Sequence, residues 1–196
     1  MNAGVTPVRR FGQGAIATRA NFVTIARLIF AVPLLILIYH RGAEWATVGG
    51  WFVLSITDGL DGVLARRDGT TRSGAFLDPL ADKCLVLGGF GVLVARGDVW
   101  WLPVALIAAR EIAVSVFRSL AARRGRSLPA RRLGKLKTVV QLLAVGAVLL
   151  PWTADAHTLQ VTILWFAVAL TLASAADLFL HTTAVSPTEI SEVSAP

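Results

Sequence analysis

Cysteine is almost absent from this chain of 196 residues, and charged side chains are scarce. The single cysteine, Cys84, excludes an internal disulfide framework, and its apolar surroundings predict a small buried hydrophobic residue. Only 16% of the residues are charged, whereas an average soluble domain carries about 25%. Because 55% of the residues are hydrophobic, the composition is typical of a membrane protein, and the length favours one domain.

The first apolar run, FVTIARLIFAVPLLILIY, differs from a signal peptide in two respects. It contains Arg27 and Pro33, and it ends without a small-residue cleavage site. We therefore expect it to remain in the protein as a first membrane helix.

Six segments approach the length of about 20 apolar residues that a helix needs to cross a bilayer. They are 22–40, 45–65, 74–95, 99–122, 135–152 and 158–181. The sequence therefore predicts an all-α membrane protein with six transmembrane helices. We expect a cytoplasmic N-terminal segment at 1–18, a six-helix domain at 19–182 and a disordered tail at 183–196, whose composition requires no fold.

The basic residues are distributed unevenly between the two predicted sides of the membrane. If both termini are cytoplasmic, the outer loops hold only Arg41 and Arg96, and the other 17 of the 19 Lys and Arg residues lie on or towards the inner side. This bias favours cytoplasmic termini and explains the net charge of +7 without a nucleic-acid partner. Tryptophans stand at the predicted outer helix ends, as in an interfacial aromatic belt: Trp45, Trp100, Trp101 and Trp152.

Four aspartates stand between two apolar runs, in the stretch DGLDGVLARRDGTTRSGAFLDPLADK at 58–83. Asp58 and Asp61 fall on one face of the predicted second helix, and Asp78 and Asp82 share one face of the third. The short link between the two helices predicts that the two acidic faces oppose each other at the cytoplasmic border of the membrane.

Four facing carboxylates repel one another unless cations lie between them. Hard oxygen ligands on two helices suit Mg²⁺ or Mn²⁺, and the set has room for two ions about 4 Å apart, as in enzymes that act at phosphorus. Arg66 and Arg72 are placed to meet a phosphate nearby.

The same stretch resembles the signature DxxDGxxAR, seven or eight residues, then GxxxDxxxD, of the CDP-alcohol phosphatidyltransferases. The resemblance implies a six-helix membrane fold, usually dimeric. It implies that the divalent metals bind to Asp58, Asp61, Asp78 and Asp82, with Asp82 also the general base on the acceptor hydroxyl. It further implies that the CDP-diacylglycerol headgroup contacts Gly62, Ala65, Arg66, Thr71 and Gly74.

The acceptor alcohol depends on charged residues further along the chain. Arg110 and Glu111 lie inside an apolar segment, where a functional role is the default hypothesis. With Arg118, Lys135 and Lys137, Arg110 is predicted to form a basic pocket for an anionic acceptor. The alternative is that Arg110 and Glu111 form a structural pair between helices. The remaining arginines nearby read as a solvated loop attracted to anionic lipid: Arg123, Arg124, Arg126, Arg131 and Arg132.

Within the family, the stretches AREIAVSVFR and GKLKT resemble the phosphatidylglycerophosphate synthase branch, as does the opening NFVTIARLIFAVP. That branch uses sn-glycerol 3-phosphate and releases CMP. The sequence LPARR before LGKLKT departs from the branch, which usually has small residues there. Together with the distribution of basic residues, the resemblance implies a multi-pass enzyme of the cell membrane with its active site at the cytoplasmic face.

Two other functions stay open. A CDP-diacylglycerol-dependent cardiolipin synthase shares the TDxxDG and DPLADK stretches but takes phosphatidylglycerol, whose lack of a phosphomonoester fits a basic pocket less well. A cation transporter also uses intramembrane acids, although these more often lie near the bilayer midplane. We expect His40, His157 and His181 to be interfacial polar residues, not metal ligands. Three glycines are candidates for close helix packing: Gly88, Gly89 and Gly91.

Overall fold

The computed structural model of the protein describes residues 19–68, 74–123 and 132–184, with side chains described over 25–57, 83–121 and 133–180. Six α-helices account for nearly all of these residues. They are α1 (Arg19–Arg41), α2 (Trp45–Asp68), α3 (Gly74–Arg96), α4 (Trp101–Arg123), α5 (Arg132–Leu149) and α6 (His157–Ala184). Over the described residues, the prediction of an all-α fold with six helices is confirmed.

The helix boundaries lie within three residues of the predicted segments. The fifth segment was predicted at 135–152, but α5 ends at Leu149 and is followed by a short 3₁₀ turn, Pro151–Thr153. Pro151 disfavours helical backbone at the preceding residue, so the helix ends before it. At the C-terminal end, α6 extends two residues into the predicted tail. The rest of that tail and the segment 1–18 lie outside the described residues.

Four of the six tryptophans lie at one end of the helix bundle, which we call the tryptophan end: Trp45, Trp100, Trp101 and Trp152. The rings of Trp45, at the start of α2, and Trp152, after α5, meet edge to face with centroids 5.1 Å apart. Trp100, just before α4, and His157, at the start of α6, line one groove, so the starts of these two helices also lie at this end. Consecutive helices therefore alternate in direction, and the starts of α2, α4 and α6 share this end.

Arg96, the last residue of α3, forms a hydrogen bond to the end of α1 at the tryptophan end. Its Nη1 donates to the backbone oxygen of Tyr39 (2.6 Å) and its Nε to Asp98 Oδ2 (2.6 Å). Gly42 follows α1 with a φ of 67°, and a Cβ added there would lie 2.7 Å from Arg96 Cζ. The turn after α1 therefore depends both on a left-handed glycine and on space for the Arg96 guanidinium.

Gly42→Ala is expected to destabilise the protein more than Gly97→Ala. Gly97 also has a positive φ, of 81°, but open space surrounds its added Cβ. Gly97→Ala should cost about 1–2 kcal/mol for the left-handed backbone alone, whereas Gly42→Ala must also displace Arg96. Thermal unfolding of the purified protein in detergent measures both. In an Arg96→Ala background the two losses should become equal, and a persistent difference would contradict this explanation.

The core contains buried side chains from all six helices, and one part of it lies where α5 packs against α2 and α3. Trp51 is fully buried, and its Nε1 donates to the backbone oxygen of Leu142 on α5 (3.0 Å). A Cβ on Gly89 of α3 would lie 2.6 Å from the Trp51 ring and 3.3 Å from Val145. These four residues define a level in the bundle that we call the Trp51 layer.

The predicted role of the α3 glycines in close packing is confirmed for two of the three. Added Cβ atoms would crowd Leu35 at Gly88 and Trp51 at Gly89, but nothing lies within 4 Å of Gly91. Gly91 faces outward and needs no such space.

Gly89→Ala is expected to lower stability by about 1–3 kcal/mol, because it overpacks the core against Trp51. Gly91→Ala, two residues away, removes a flexible glycine from the same helix without a clash and should raise stability by up to about 1 kcal/mol. Melting temperatures in detergent test the pair, and equal responses would disprove the packing explanation.

Much of the described surface is apolar, and Cys84 belongs to it. The prediction that Cys84 is buried is wrong, since its side chain is exposed on α3. Exposed large hydrophobic residues occur along several helices, including Phe30 on α1 and Phe166 on α6. In a membrane bundle the outer surface contacts hydrocarbon, so apolar character does not require burial inside the protein.

Among the described residues, one helix segment is long and apolar enough to cross a membrane by length and composition, His157–Leu180. A shorter apolar segment, Trp45–Thr57, forms the first part of α2.

Candidate active site

The aspartate motif occupies two helices. Asp58 and Asp61 are three residues apart in α2, and Asp78 and Asp82 are four apart in α3, so each pair falls on one face of its helix, as predicted. Thr71 lies outside the described residues. The side chains of the other predicted metal and nucleotide ligands also lie outside the described part of the chain: Asp58, Asp61, Gly62, Ala65, Arg66, Gly74, Asp78 and Asp82.

The position of the aspartate motif along the bundle axis can be measured from the Trp51 layer. Asp58 on α2 and Asp82 on α3 each stand seven residues from that layer, on the side away from the tryptophan end. At a rise of 1.5 Å per residue, this separation is about 10 Å. Lys137 on α5 stands five to eight residues from the layer in the same direction, or about 8–12 Å. Lys137 is therefore level with the two aspartate positions.

A buried charge cluster of Arg110, Glu111 and Lys137 joins α4 to α5. Glu111 Oε1 accepts hydrogen bonds from Arg110 Nη1 (3.1 Å) and from Lys137 Nζ. All three residues are about nine-tenths buried. Ionised side chains persist at such positions only when they are paired. The cluster therefore fixes two cations around one carboxylate.

Three neutral residues extend the cluster to α6 and close a ring. Arg110 Nη2 donates to Ser174 Oγ (2.6 Å), which donates to the backbone oxygen of Thr171 (2.9 Å). Gln141 Nε2 donates to Thr171 Oγ1 (2.8 Å) and, at 3.4 Å, to Glu111 Oε1. We call these five residues the polar ring. It ties α4, α5 and α6 together with side-chain hydrogen bonds.

The electrostatics of this region favour an anion. The buried charge cluster carries two positive charges and one negative. Arg118 lies close enough to Arg110, and Lys83 close enough to Lys137, for their charges to repel. Lys83 directly follows Asp82, so the excess positive charge adjoins the aspartate motif.

Two buried arginine N–H donors also favour an anionic ligand. Within the described part of the chain, neither Arg110 Nε nor Arg118 Nε has a hydrogen-bond acceptor, although both atoms are buried. A buried guanidinium N–H without an acceptor costs about 1–3 kcal/mol. An anionic ligand that accepts from these groups would remove that cost.

The predicted acceptor residues are thus brought together in part. Arg110 and Lys137 meet at Glu111, and Arg118 lies within electrostatic range of Arg110. Lys135 is exposed on α5. The alternative interpretation also has a basis, since Arg110 and Glu111 do form an ion pair, although within α4 and not between helices.

Gln141, Thr171 and Ser174 were missed by the sequence reasoning. All three are buried and lie in helices that are otherwise largely apolar. Polar residues inside membrane helices commonly form hydrogen bonds between helices, so their position within apolar segments is the signal that would have identified them.

A family model described as CDP-alcohol phosphatidyltransferase matches residues 17–173. The chain belongs to the CDP-alcohol phosphatidyltransferase family. The resemblance inferred from the aspartate motif is confirmed, and the protein is an enzyme of this membrane family.

Individual relatives share most of their length with the chain. A Mycobacterium tuberculosis protein named "Probable phosphatidylglycerophosphate synthase" is 38% identical over 172 residues, which cover 85% of this chain and 82% of the relative. A Haemophilus influenzae protein named "CDP-diacylglycerol--glycerol-3-phosphate 3-phosphatidyltransferase" is 34% identical over 159 residues, 77% of this chain and 85% of the relative. A Sodalis glossinidius protein of the same name is 38% identical over 143 residues, 69% of this chain and 77% of the relative.

The donor chemistry of the aspartate motif fits a divalent cation. Its four carboxylates come from two helices, in pairs that each share a face. Mg²⁺ and Mn²⁺ take hard oxygen ligands of this kind. Histidine and cysteine, the usual ligands of softer metals, do not occur in the motif.

Proposed function

We propose that the protein transfers a phosphatidyl group from CDP-diacylglycerol to sn-glycerol 3-phosphate, giving phosphatidylglycerol phosphate and CMP. The relatives named for this reaction support the proposal. In the reaction, the hydroxyl oxygen of glycerol 3-phosphate forms a bond to the phosphatidyl phosphorus, the bond from that phosphorus to CMP breaks, and the hydroxyl proton passes to a base.

The observation that carries the choice of acceptor is the excess positive charge beside the aspartate motif. The buried charge cluster has one more cation than its carboxylate neutralises, and Lys137 is level with Asp82. A phosphomonoester supplies the missing negative charge and accepts hydrogen bonds from Arg or Lys. Phosphatidylglycerol offers only a phosphodiester, so its fit to this region is poorer.

We assign two roles to the aspartates, metal binding and proton transfer. Asp58, Asp61, Asp78 and Asp82 would hold Mg²⁺ or Mn²⁺, as two ions. When bound, the metal would polarise the diphosphate and stabilise the departing CMP. Asp82 would accept the proton of the acceptor hydroxyl.

The nucleotide and the acceptor would occupy neighbouring regions. The CDP headgroup would lie along α2 and the link after it, against Gly62, Ala65, Arg66, Thr71 and Gly74. The phosphate of the acceptor would bind Arg110, Arg118, Lys135 and Lys137.

The same proposal includes the topology. All six helices would cross the cell membrane, with both termini and the active site on the cytoplasmic face. The alternation of helix direction supports termini on one common side of the membrane, and the distribution of Lys and Arg along the sequence supports the cytoplasmic side. The family resemblance supports a homodimer, and the exposed apolar surface would contact membrane lipid.

An acceptor panel tests the reaction. Purified protein in detergent should release CMP from CDP-diacylglycerol when glycerol 3-phosphate is added, and chelation of divalent cations should abolish the release. Mg²⁺ and Mn²⁺ are then restored separately. CMP release with phosphatidylglycerol but not with glycerol 3-phosphate would show that the protein is a cardiolipin synthase. The absence of CMP release with either acceptor would refute both functions.

A further inference from the structure

Arg110 is held at both of its terminal nitrogens by different kinds of partner. Nη1 donates to the carboxylate of Glu111 and Nη2 to the hydroxyl of Ser174. A hydroxyl orients a guanidinium without cancelling its charge, whereas a second carboxylate would do both. The contact with Ser174 therefore fixes Arg110 and preserves the excess positive charge of the cluster.

Ser174 is itself held in place. Its hydroxyl accepts from Arg110 and donates to the backbone of Thr171, and the Thr171 side chain accepts from Gln141. Thr171 and Ser174 are three residues apart and share a face of α6. Because Gln141 also reaches Glu111, displacement of one member of the polar ring disturbs the others.

One donor of this fixed guanidinium lacks an acceptor. Arg110 Nε is buried and has none in the described part of the chain, while the arginine side chain is about nine-tenths buried. Restraining a side chain as long as that of arginine costs rotamer entropy, and the hydrogen bonds to Glu111 and Ser174 offset that cost. A restrained, buried and unpaired N–H is prepared for a ligand oxygen.

We propose that Ser174, supported by Thr171 and Gln141, is a positioning residue for acceptor binding, which holds Arg110 so that its Nε–H meets a phosphate oxygen of the acceptor. This inference rests on the proposed function. The inference gives α6 a role in the reaction, although α6 carries none of the predicted ligands.

The test separates acceptor affinity from turnover and from folding. Ser174→Ala should raise the KM for glycerol 3-phosphate by about three- to tenfold, the effect of one hydrogen bond. The kcat and the KM for CDP-diacylglycerol should stay within about twofold of wild type. Thr171→Val, which keeps the side-chain shape but removes the acceptor of Gln141, should shift the same KM in the same direction by a smaller factor.

Ser115→Ala is the matched control. Ser115 donates to the backbone oxygen of Glu111 within α4 (2.6 Å), a hydrogen bond that involves no side chain of the polar ring. Its loss removes a serine hydroxyl from the same region and should leave the KM for glycerol 3-phosphate unchanged.

The possible outcomes are distinct. A folded Ser174→Ala variant with an unchanged KM for glycerol 3-phosphate would overturn the positioning role, as would equal changes in both KM values and kcat. If Ser174→Ala does not fold, an unchanged KM in Thr171→Val overturns it. Wild-type protein that releases no CMP with glycerol 3-phosphate would instead refute the proposed function.

Discussion

Replacement of Asp82 by Asn is expected to lower the kcat for CMP release by about 10²–10⁴-fold, the range of a lost general base. Asparagine keeps the size of the side chain but neither accepts the proton nor supplies a charged metal ligand. Asp82 is level with Lys137 and precedes Lys83, so the proton acceptor would lie next to the bound acceptor. The measurement is CMP release at saturating glycerol 3-phosphate, CDP-diacylglycerol and Mg²⁺.

Asp155→Asn provides the matched control. Asp155 is exposed in the turn before α6, at the tryptophan end of the bundle. The same change of one oxygen to nitrogen there should leave kcat unaltered. An Asp82→Asn variant that is folded and retains full activity would disprove both roles assigned to Asp82.

Metal titration separates those two roles. If Asp82 acts chiefly as a metal ligand, higher Mg²⁺ or Mn²⁺ should restore part of the activity of Asp82→Asn. If it acts chiefly as the base, activity should stay low at every metal concentration. Asp61→Asn gives the reference for a ligand that has no predicted role in proton transfer.

The sequence predicted the helices well because their determinants are local. Segment lengths set by the bilayer suffice to place the boundaries within three residues, although the predicted fifth segment ran past the proline at 151, before which α5 ends. Burial was less predictable. Cys84 is exposed and Arg110 is buried, because in a membrane bundle hydrocarbon receives apolar side chains while the interior receives polar ones.

The candidate site likewise has features that local sequence predicts and features that it does not. The aspartate pairs could be assigned from spacing, since helical phase is regular over three or four residues. The contacts of Glu111 with Lys137 and Gln141 join residues 26 and 30 positions apart. Such contacts depend on the register between α4 and α5, which no local spacing determines. The sequence therefore predicted that Arg110 and Lys137 are functional, but not that they share a carboxylate.

Lys137→Met is expected to lower kcat/KM for glycerol 3-phosphate by about 10- to 100-fold, the effect of one lost charge-assisted hydrogen bond. Methionine is also long, unbranched and flexible, and so fills the same space. The kinetics with varied glycerol 3-phosphate measure this loss. Thr138→Val on the same helix is the control, because the Thr138 hydroxyl donates to the backbone oxygen of Gly134, outside the buried charge cluster, and its replacement should leave the kinetics unchanged.

The same variant should also be less stable, since Glu111 then keeps only one of its two cationic partners. Loss of a partner from a buried ion pair costs up to about 3–5 kcal/mol, and Arg110 limits the loss here. A structural role and an acceptor-binding role for Lys137 thus both predict a weaker enzyme, and Lys137→Met alone does not distinguish them.

A double variant, Lys137→Met with Glu111→Gln, distinguishes the two roles. Glutamine removes the buried negative charge that Lys137 and Arg110 share, so the double variant is compared with Glu111→Gln alone, in which Lys137 has no Glu111 charge to neutralise. If Lys137 binds the acceptor phosphate, kcat/KM for glycerol 3-phosphate should be lower in the double variant than in Glu111→Gln, because the donated charge is missing only from the double variant. Equal kcat/KM in these two variants would show that Lys137 serves only to neutralise Glu111, and acceptor binding would then rest on Arg110, Arg118 and Lys135.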